Sequence, residues 1–276
     1  MPAIDLGPRC LLEIHGPDAV RYLNGQVTQD VRLLAQEPTT ALPAGVTDAK
    51  GRLQGYVTLY QISDSPLTLW VEAPLELRDI LFARLSRYLI ADDAEIEDRS
   101  DDYRLLHCMG DTPEPGDFLH ARYGVPGYDR WMQAGAAIAP SAFLPQERVE
   151  AIRVENGMPL WGRELVEGIL PPEAGLDRWA ISYQKGCYIG QEVISRIKSA
   201  GKVNRQLFLF HLENAGILDG ATLLDEAGTE VGTLTSIAGP HALGYLSKKG
   251  FGQTKFDVRL PDGSLIAQAA RIKDQR

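Results

Sequence analysis

The sequence predicts an α+β chain closed by a small all-β unit, and three observations carry that reading. Through residues 1–198, strand-like and helix-like runs interleave without the regular βαβ rhythm of a doubly wound sheet. Beyond about residue 200 the texture changes to six short strand-like runs with no helix among them. The length, 276 residues, has room for about two domains. The boundary is placed near residue 198, between an N-terminal region, 1–198, and a C-terminal unit, 199–276, that fits a small barrel or sandwich.

Each element has its own signal. "RCLLEIHG" (9–16) alternates well enough for a strand, and "PDAVRYLNG" (17–25) follows as a short helix with Pro17 and Asp18 at its start. "RLQGYVTLYQI" (52–62) and "LTLWVEA" (67–73) form a hairpin across the turn-rich "SDSP". "PLELRDILFARLSRYLI" (74–90) reads as a long helix. Its residues Leu77, Ile80, Leu81, Leu85, Tyr88 and Leu89 recur at helical spacing and are expected in the core. Strands are expected at 94–98, 103–110 and 129–134. A second helix, 145–157, opens on Pro145 and closes on Gly157.

Composition bounds the function. With 44% hydrophobic and 24% charged residues the chain is an ordinary globular sequence. No apolar run approaches the roughly 18 residues that span a bilayer, so no membrane partner is expected. The N-terminal residues lack a basic segment followed by an apolar one, and three irregularly spaced cysteines offer neither a disulfide framework nor a self-contained metal site. A reducing, cytoplasmic setting is the simplest reading. A net charge of −9 speaks against direct nucleic-acid binding. Against that stands one local basic cluster: Arg196, Lys198, Lys202 and Arg205, which reads as solvated surface or an anion contact.

Two candidate sites emerge from the residues. In "KGCYIGQEVISRI" (185–197), Cys187 stands two residues after Lys185 and just before a helix-like run. A nearby ammonium and unpaired helix-start N–H groups both favour a thiolate, and the flanking Gly186 and Gly190 let the chain turn sharply and leave the sulfur approachable. The bland alternative is a small buried hydrophobe, the reading given to Cys10 and Cys108 in their apolar strands. Glu155 is the second candidate. It falls in the last turn of a helix, where the dipole prefers a cation; it is either a solvated glutamate or a misplaced acid that marks a site. The five histidines show no recognisable motif.

Taken together, "HGPDAVRYLNGQVTQDV" (15–31), "TDAKGRL" (47–53), "RVENGMPLWGREL" (153–165), "KGCYIGQEVISRI" (185–197) and "VGTLTS" (231–236) resemble the YgfZ-type folate-binding proteins. These are a branch of the glycine-cleavage T-protein (aminomethyltransferase) superfamily that includes a mitochondrial assembly factor for iron–sulfur proteins. The resemblance spans essentially the whole chain, and "KGCYxGQE" is its most specific part. It implies an aminomethyltransferase-like folate-binding region of two packed subdomains plus a small C-terminal β-barrel. The implied ligand is tetrahydrofolate or a one-carbon derivative. Glu155 matches the pterin-binding glutamate; its carboxylate accepts a bidentate pair from the N3–H and 2-amino group. Lys185, with Tyr188 beside it, is expected to contact the folate. Its ammonium would face the glutamyl tail or a partner's acidic group. Gln191 and Glu192 are expected to fix the loop and cap the helix.

One departure bears on chemistry. Where aminomethyltransferases carry an essential aspartate, this chain has Leu53-Gln54-Gly55-Tyr56, and Asp48 lies too early to substitute. Neither glycine nor a phenol supplies the counter-charge that a developing cation on folate nitrogen needs. The resemblance therefore implies an accessory protein working with iron–sulfur enzymes or assembly proteins, with tRNA modification as an indirect effect. The alternatives are a folate-dependent one-carbon (aminomethyl) transferase with an altered acid, and a plain folate-binding module with a structural cysteine.

Overall fold

The computed structural model describes residues 2–110, 112–137, 143–201, 203–213, 220–260 and 263–272, the side chains of 265–267 set aside. In chain order the first elements are β1 (Ala3–Asp5), β2 (Arg9–His15), α1 (Ala19–Gln26), β3 (Leu42–Thr47), β4 (Leu53–Asp64) and β5 (Leu67–Pro74). Next come α2 (Arg78–Ser86), β6 (Glu95–Asp98), β7 (Tyr103–Met109), β8 (Phe118–Leu119), β9 (Gly127–Gln133), α3 (Gln146–Glu155) and α4 (Gln191–Ala200). The last six are β10 (Arg205–Leu212), β11 (Thr222–Leu224), β12 (Glu230–Ala238), β13 (His241–Ser247), β14 (Lys255–Arg259) and β15 (Leu265–Arg271).

The first subdomain is an antiparallel sheet of order β3-β4-β5-β2-β6. Its strands read as nearly continuous apolar runs because both faces are covered. Successive side chains point to opposite faces. Cys10, Leu12, Ile14, Val57, Leu59, Leu69 and Val71 therefore pack on one side with Tyr22 and Leu23 of α1 and Leu81 and Leu85 of α2. Leu11, Tyr60 and Trp70 pack on the other side with Phe118. Cys10 and Cys108 are both buried, as the apolar strands predict.

That second face meets a smaller antiparallel sheet of order β1-β7-β9-β8. Aromatic rings join the two, with Tyr60 against Phe118 at 5.0 Å and Trp70 against Trp131 at 5.4 Å between centroids. Each such pair adds about 0.5–1.5 kcal/mol beyond its buried area. A charged knot sits beside the rings: buried Asp129 accepts from the Tyr60 hydroxyl at 2.7 Å, His107 Nδ1 at 2.8 Å and Arg122 Nη2 at 2.8 Å. Arg122 also donates to Glu72 on the first sheet. These contacts make the two sheets one packed body.

The helix expected at 74–90 is corrected. A 3-10 turn (Leu75–Leu77) leads into α2, which ends at Ser86, and Ile80 and Tyr88 are exposed rather than core. The buried stripe runs through Leu77, Leu81, Arg84 and Leu85, which turns Ile80 outward. Arg84 joins the stripe because its guanidinium reaches Gln26, Gln54 and the Thr47 carbonyl. Tyr88 lies past the end of the helix, under that same guanidinium at 4.2 Å.

The C-terminal unit is a closed barrel of order β10-β13-β12-β11-β14-β15. Phe210, Leu212, Leu223, Leu234, Ala242, Leu246 and Phe256 fill it. The alternate positions on β10 and β13 face outward, and Leu207 and Leu243 pack there against Val154 of α3. α4 runs to Ala200 and the barrel opens at Arg205. Of the basic cluster, Lys202 lies outside the described residues. Arg205 pairs with Glu173 at 3.0 Å, and Lys198 approaches Asp177 at 3.9 Å. No helix of the described residues is long and apolar enough to cross a membrane.

Candidate functional site

A cavity of about 720 Å³ opens where the end of α3, the 174–179 segment and the outer face of the barrel meet. Glu155 lines it, followed by Asn156, Gly157 and Met158, with Arg178 and Trp179 opposite in sequence and Leu207, Phe208, Leu243 and His241 from the barrel. Glu155 is the last residue of α3 and is exposed. It is the one acid among these lining residues. Aromatic and aliphatic walls with a single carboxylate suit a flat heterocycle that offers hydrogen-bond donors along one edge.

The wall bearing Glu155 is held by a buried ionic network. Arg153, two residues earlier, is 2% exposed and donates to Glu164 Oε2 at 2.9 Å, Glu150 Oε1 at 2.5 Å, the Met158 carbonyl at 2.7 Å and Ser236 Oγ at 2.7 Å. Glu164 is fully buried and accepts further bonds from Ser236 and Thr235 hydroxyls and the Leu160 N–H. Every polar atom of the pair has a partner, the condition under which a buried ion pair is tolerated. "RVENG", "WGRE" and "TS" are thus three parts of one seam between α3 and the barrel.

"KGCYIGQE" belongs to a second seam. Lys185 is 5% exposed, and its ammonium donates to the carbonyls of Asn24 at 2.6 Å, Val27 at 2.8 Å and Gln29 at 2.7 Å. Those residues lie in "LNGQVTQDV", the last turn of α1 and the segment after it. Thr47 donates to the Ile189 carbonyl and Ile189 N–H to that of Gly25, so the 47–53 turn joins the same seam. Gly190 has φ +89°, and a Cβ there would stand 2.5 Å from the Asp48 carbonyl oxygen. Only glycine meets both demands.

This geometry places the expected residues unequally. Cys187 is exposed, with Gly186, between the buried Lys185 and Tyr188, so the thiol projects from a loop pinned on both sides. The expected role of Lys185 is corrected: its three N–H bonds are all spent on backbone carbonyls, which leaves none for the thiolate or for a ligand's tail. Burial pushes its ammonium down to about 7. Tyr188 packs with Leu53, Leu165 and Ile194 under the Lys185 ammonium, and neither residue is among those lining the cavity. Helix α4 is not capped by Gln191 or Glu192, which are its first two residues. Its N-cap is Gly190, with no side-chain cap bond.

Trp179 links the two seams. Its carbonyl accepts from Gln29 at 2.9 Å, and its indole N–H donates to the Tyr56 hydroxyl at 3.1 Å. Burial pushes Tyr56 up to about 12, so it stays a neutral phenol. Gln54 is occupied by Arg84, and Asp48 accepts the N–H groups of Lys50 and Arg52 to close its own turn. Asp48, the nearby acid in sequence, is thus engaged within its own turn. Trp179, Arg178, Phe208 and His241 were invisible to sequence reasoning. Each is a single residue in a turn or a barrel strand, and only the acid at the helix end pointed toward this cavity.

No family model matches the chain. It is 28% identical over 300 residues to the mitochondrial iron-sulfur cluster assembly factor IBA57 of Homo sapiens, covering 98% of this chain and 83% of that one. It is 27% identical over 235 residues to the tRNA-modifying protein YgfZ of Cronobacter sakazakii, covering 74% and 69%. The crystal structure of the glycine cleavage system aminomethyltransferase T from Bartonella henselae superposes with a TM-score of 0.81 at 18% identity, covering 98% of this chain and 84% of that one. The fold, two packed subdomains and a closed six-stranded barrel, is therefore that of the aminomethyltransferases. The relatives named YgfZ and IBA57, 27–28% identical over most of the chain, are what the chain is similar to in sequence within that fold, which fits the YgfZ-type branch.

Proposed function

We propose that the protein is a tetrahydrofolate-binding accessory factor for iron–sulfur cluster assembly or repair, supporting tRNA modification indirectly through iron–sulfur enzymes. Its relatives, an iron–sulfur cluster assembly factor and a tRNA-modifying protein, support the setting. The observation that carries the reading is the cavity: one carboxylate, Glu155, at the edge of a space walled by Trp179, Phe208 and leucines. That donor set fits the group. Glu155 would take the pterin's N3–H and 2-amino group as a bidentate pair, and Trp179 and Phe208 would cover its ring. Bound folate would supply one-carbon or reducing chemistry.

Cys187 would act separately. It stands exposed on a loop outside the cavity lining, where a partner protein can reach the sulfur, and a thiol is the side chain that iron and sulfane sulfur both accept. The protein would not be an active aminomethyltransferase, because the 53–56 stretch carries no acid. The three cysteines are free, which fits a reducing compartment, and we place the protein in the cytoplasm. The net charge of −9 disfavours direct contact with RNA.

Calorimetric titration of tetrahydrofolate under anaerobic, reducing conditions tests the reading. Glu155→Ala should abolish binding and Cys187→Ala should leave it intact. Wild-type protein that fails to bind would remove folate from the function. Formation of 5,10-methylene-tetrahydrofolate that depends on Glu155 and not on Cys187 would favour the transferase instead.

A further inference from the structure

The outer face of the barrel ends in two histidines that nothing in the proposed function uses. β10 and β13 pair antiparallel, with Leu207 opposite Tyr245, Leu209 opposite Leu243 and His211 opposite His241. Their neighbours Phe210, Leu212, Ala242 and Leu246 fill the barrel, so this row points outward, toward α3 and the cavity. Leu243 packs with Val154, the residue before Glu155. His241 lies two residues on, on the same face, roughly 7 Å further along the strand. It lines the cavity, and exposed His211 meets it edge to face at 5.9 Å.

Along the barrel the lining therefore runs from the carboxylate of Glu155, across leucines, to the His241 imidazole, with exposed His211 beside it. A ligand that matches it presents hydrogen-bond donors, then an apolar ring, then carboxylates. We infer that His241 and His211 form a carboxylate subsite at the open end of the pocket, reading the glutamyl tail of the folate and favouring its polyglutamylated form. This inference rests on the folate reading above. It also supplies the tail contact that Lys185, bound to three carbonyls, does not provide. An imidazole donates an N–H to a carboxylate in its neutral form, and in its charged form adds an ion pair. His211, directly across from His241, extends the same donor set toward solvent, where further glutamates of a tail would lie.

The test is anaerobic calorimetry with three probes: tail-less 6-methyltetrahydropterin, tetrahydropteroyl-monoglutamate and tetrahydropteroyl-triglutamate. Wild type should prefer the triglutamate to the monoglutamate by about five-fold, the scale of an exposed ion pair. His241→Gln should remove that preference and leave the tail-less pterin unchanged. His211→Gln should weaken the triglutamate alone. Equal loss for the tail-less pterin would make His241 a wall of the pterin site and overturn the subsite. A wild type that binds the monoglutamate with no preference for the longer tail overturns it too, while the folate reading stands. A wild type that binds none of the three probes overturns both.

Discussion

The seam between α3 and the barrel and the seam between the 185–190 loop and α1 each carry motif residues, yet they hold themselves together in opposite ways. The first is built mostly from side chains: Arg153, Glu164, Glu150 and Ser236 satisfy one another in the interior, with only the Met158 carbonyl and the Leu160 N–H joining from the main chain. In the second, one side chain answers the main chain, with Lys185 gathering three carbonyls 156 to 161 residues earlier in the sequence. In both, the buried charge is an anchor and the candidate functional group is its exposed neighbour. Glu155 follows Arg153 by two residues, and Cys187 follows Lys185 by two. The lesson is that in a motif the chemistry need not lie in the residue with the most contacts.

Breaking each anchor should expose the difference. Arg153→Met leaves Glu164 charged and buried without its cation, a loss of about 3–5 kcal/mol. Denaturant unfolding should show it, with the Glu155 wall and folate affinity failing together. Lys185→Met leaves three carbonyls without a donor and should cost about 3 kcal/mol. Its second readout is selective: folate binding survives, while alkylation of Cys187 changes as the loop loosens. A Lys185 variant of full stability that lost folate would return Lys185 to the ligand and erase the contrast between the seams.

The two seams should also answer pH in different windows. Burial holds the Lys185 ammonium at about 7, below its ordinary value near 10.4, while its three carbonyl partners oppose that shift. Between those values the unfolded chain binds more protons than the fold, so stability rises with pH across the window. Glu150 behaves otherwise. Burial works to raise it, but its bonds to Arg153 bring it below the ordinary carboxylate value. Its contribution is present above about 4.5 and is lost as pH falls beneath it. In wild type and Lys185→Met, unfolded in parallel from pH 4 to 10, the stability difference should change with pH only in the upper window. A constant difference from pH 7 to 10 would mean that the carbonyls fully offset the burial of the ammonium.

What the sequence revealed follows the same division. Strand-like runs located β2, β4, β5, β6, β7 and β9 but not β1, β3 or β8, and the run of short strands pointed to a barrel or sandwich. Glu155 stood out as an acid at a helix end, and Cys187 as a thiol between glycines. The anchors were not legible. A lysine beside a cysteine suggests a counter-charge, and nothing local says that main-chain carbonyls at 24, 27 and 29 will take it. Ile80 is exposed because a helical repeat defines an arc but not its centre, and the centre here is set by Arg84 reaching Gln26 and Gln54, whereas Tyr88 lies past the point where α2 ends. His241 is one residue at the end of a strand, and only the register against β10 brings His211 to it.

The smallest structural effect should belong to the residue with the largest proposed role. Cys187 is exposed, so Cys187→Ser should shift stability by no more than about 0.5 kcal/mol and leave folate affinity unchanged. If the thiol is the working group, that silent variant should still fail to restore iron–sulfur enzyme activity in cells lacking the protein. The matched Arg153→Lys protein, less stable but with its thiol intact, should restore part of it. The reverse ranking, full rescue by Cys187→Ser and none by Arg153→Lys, would place the function in the folate pocket alone and leave the pinned loop as a brace between α1 and α4.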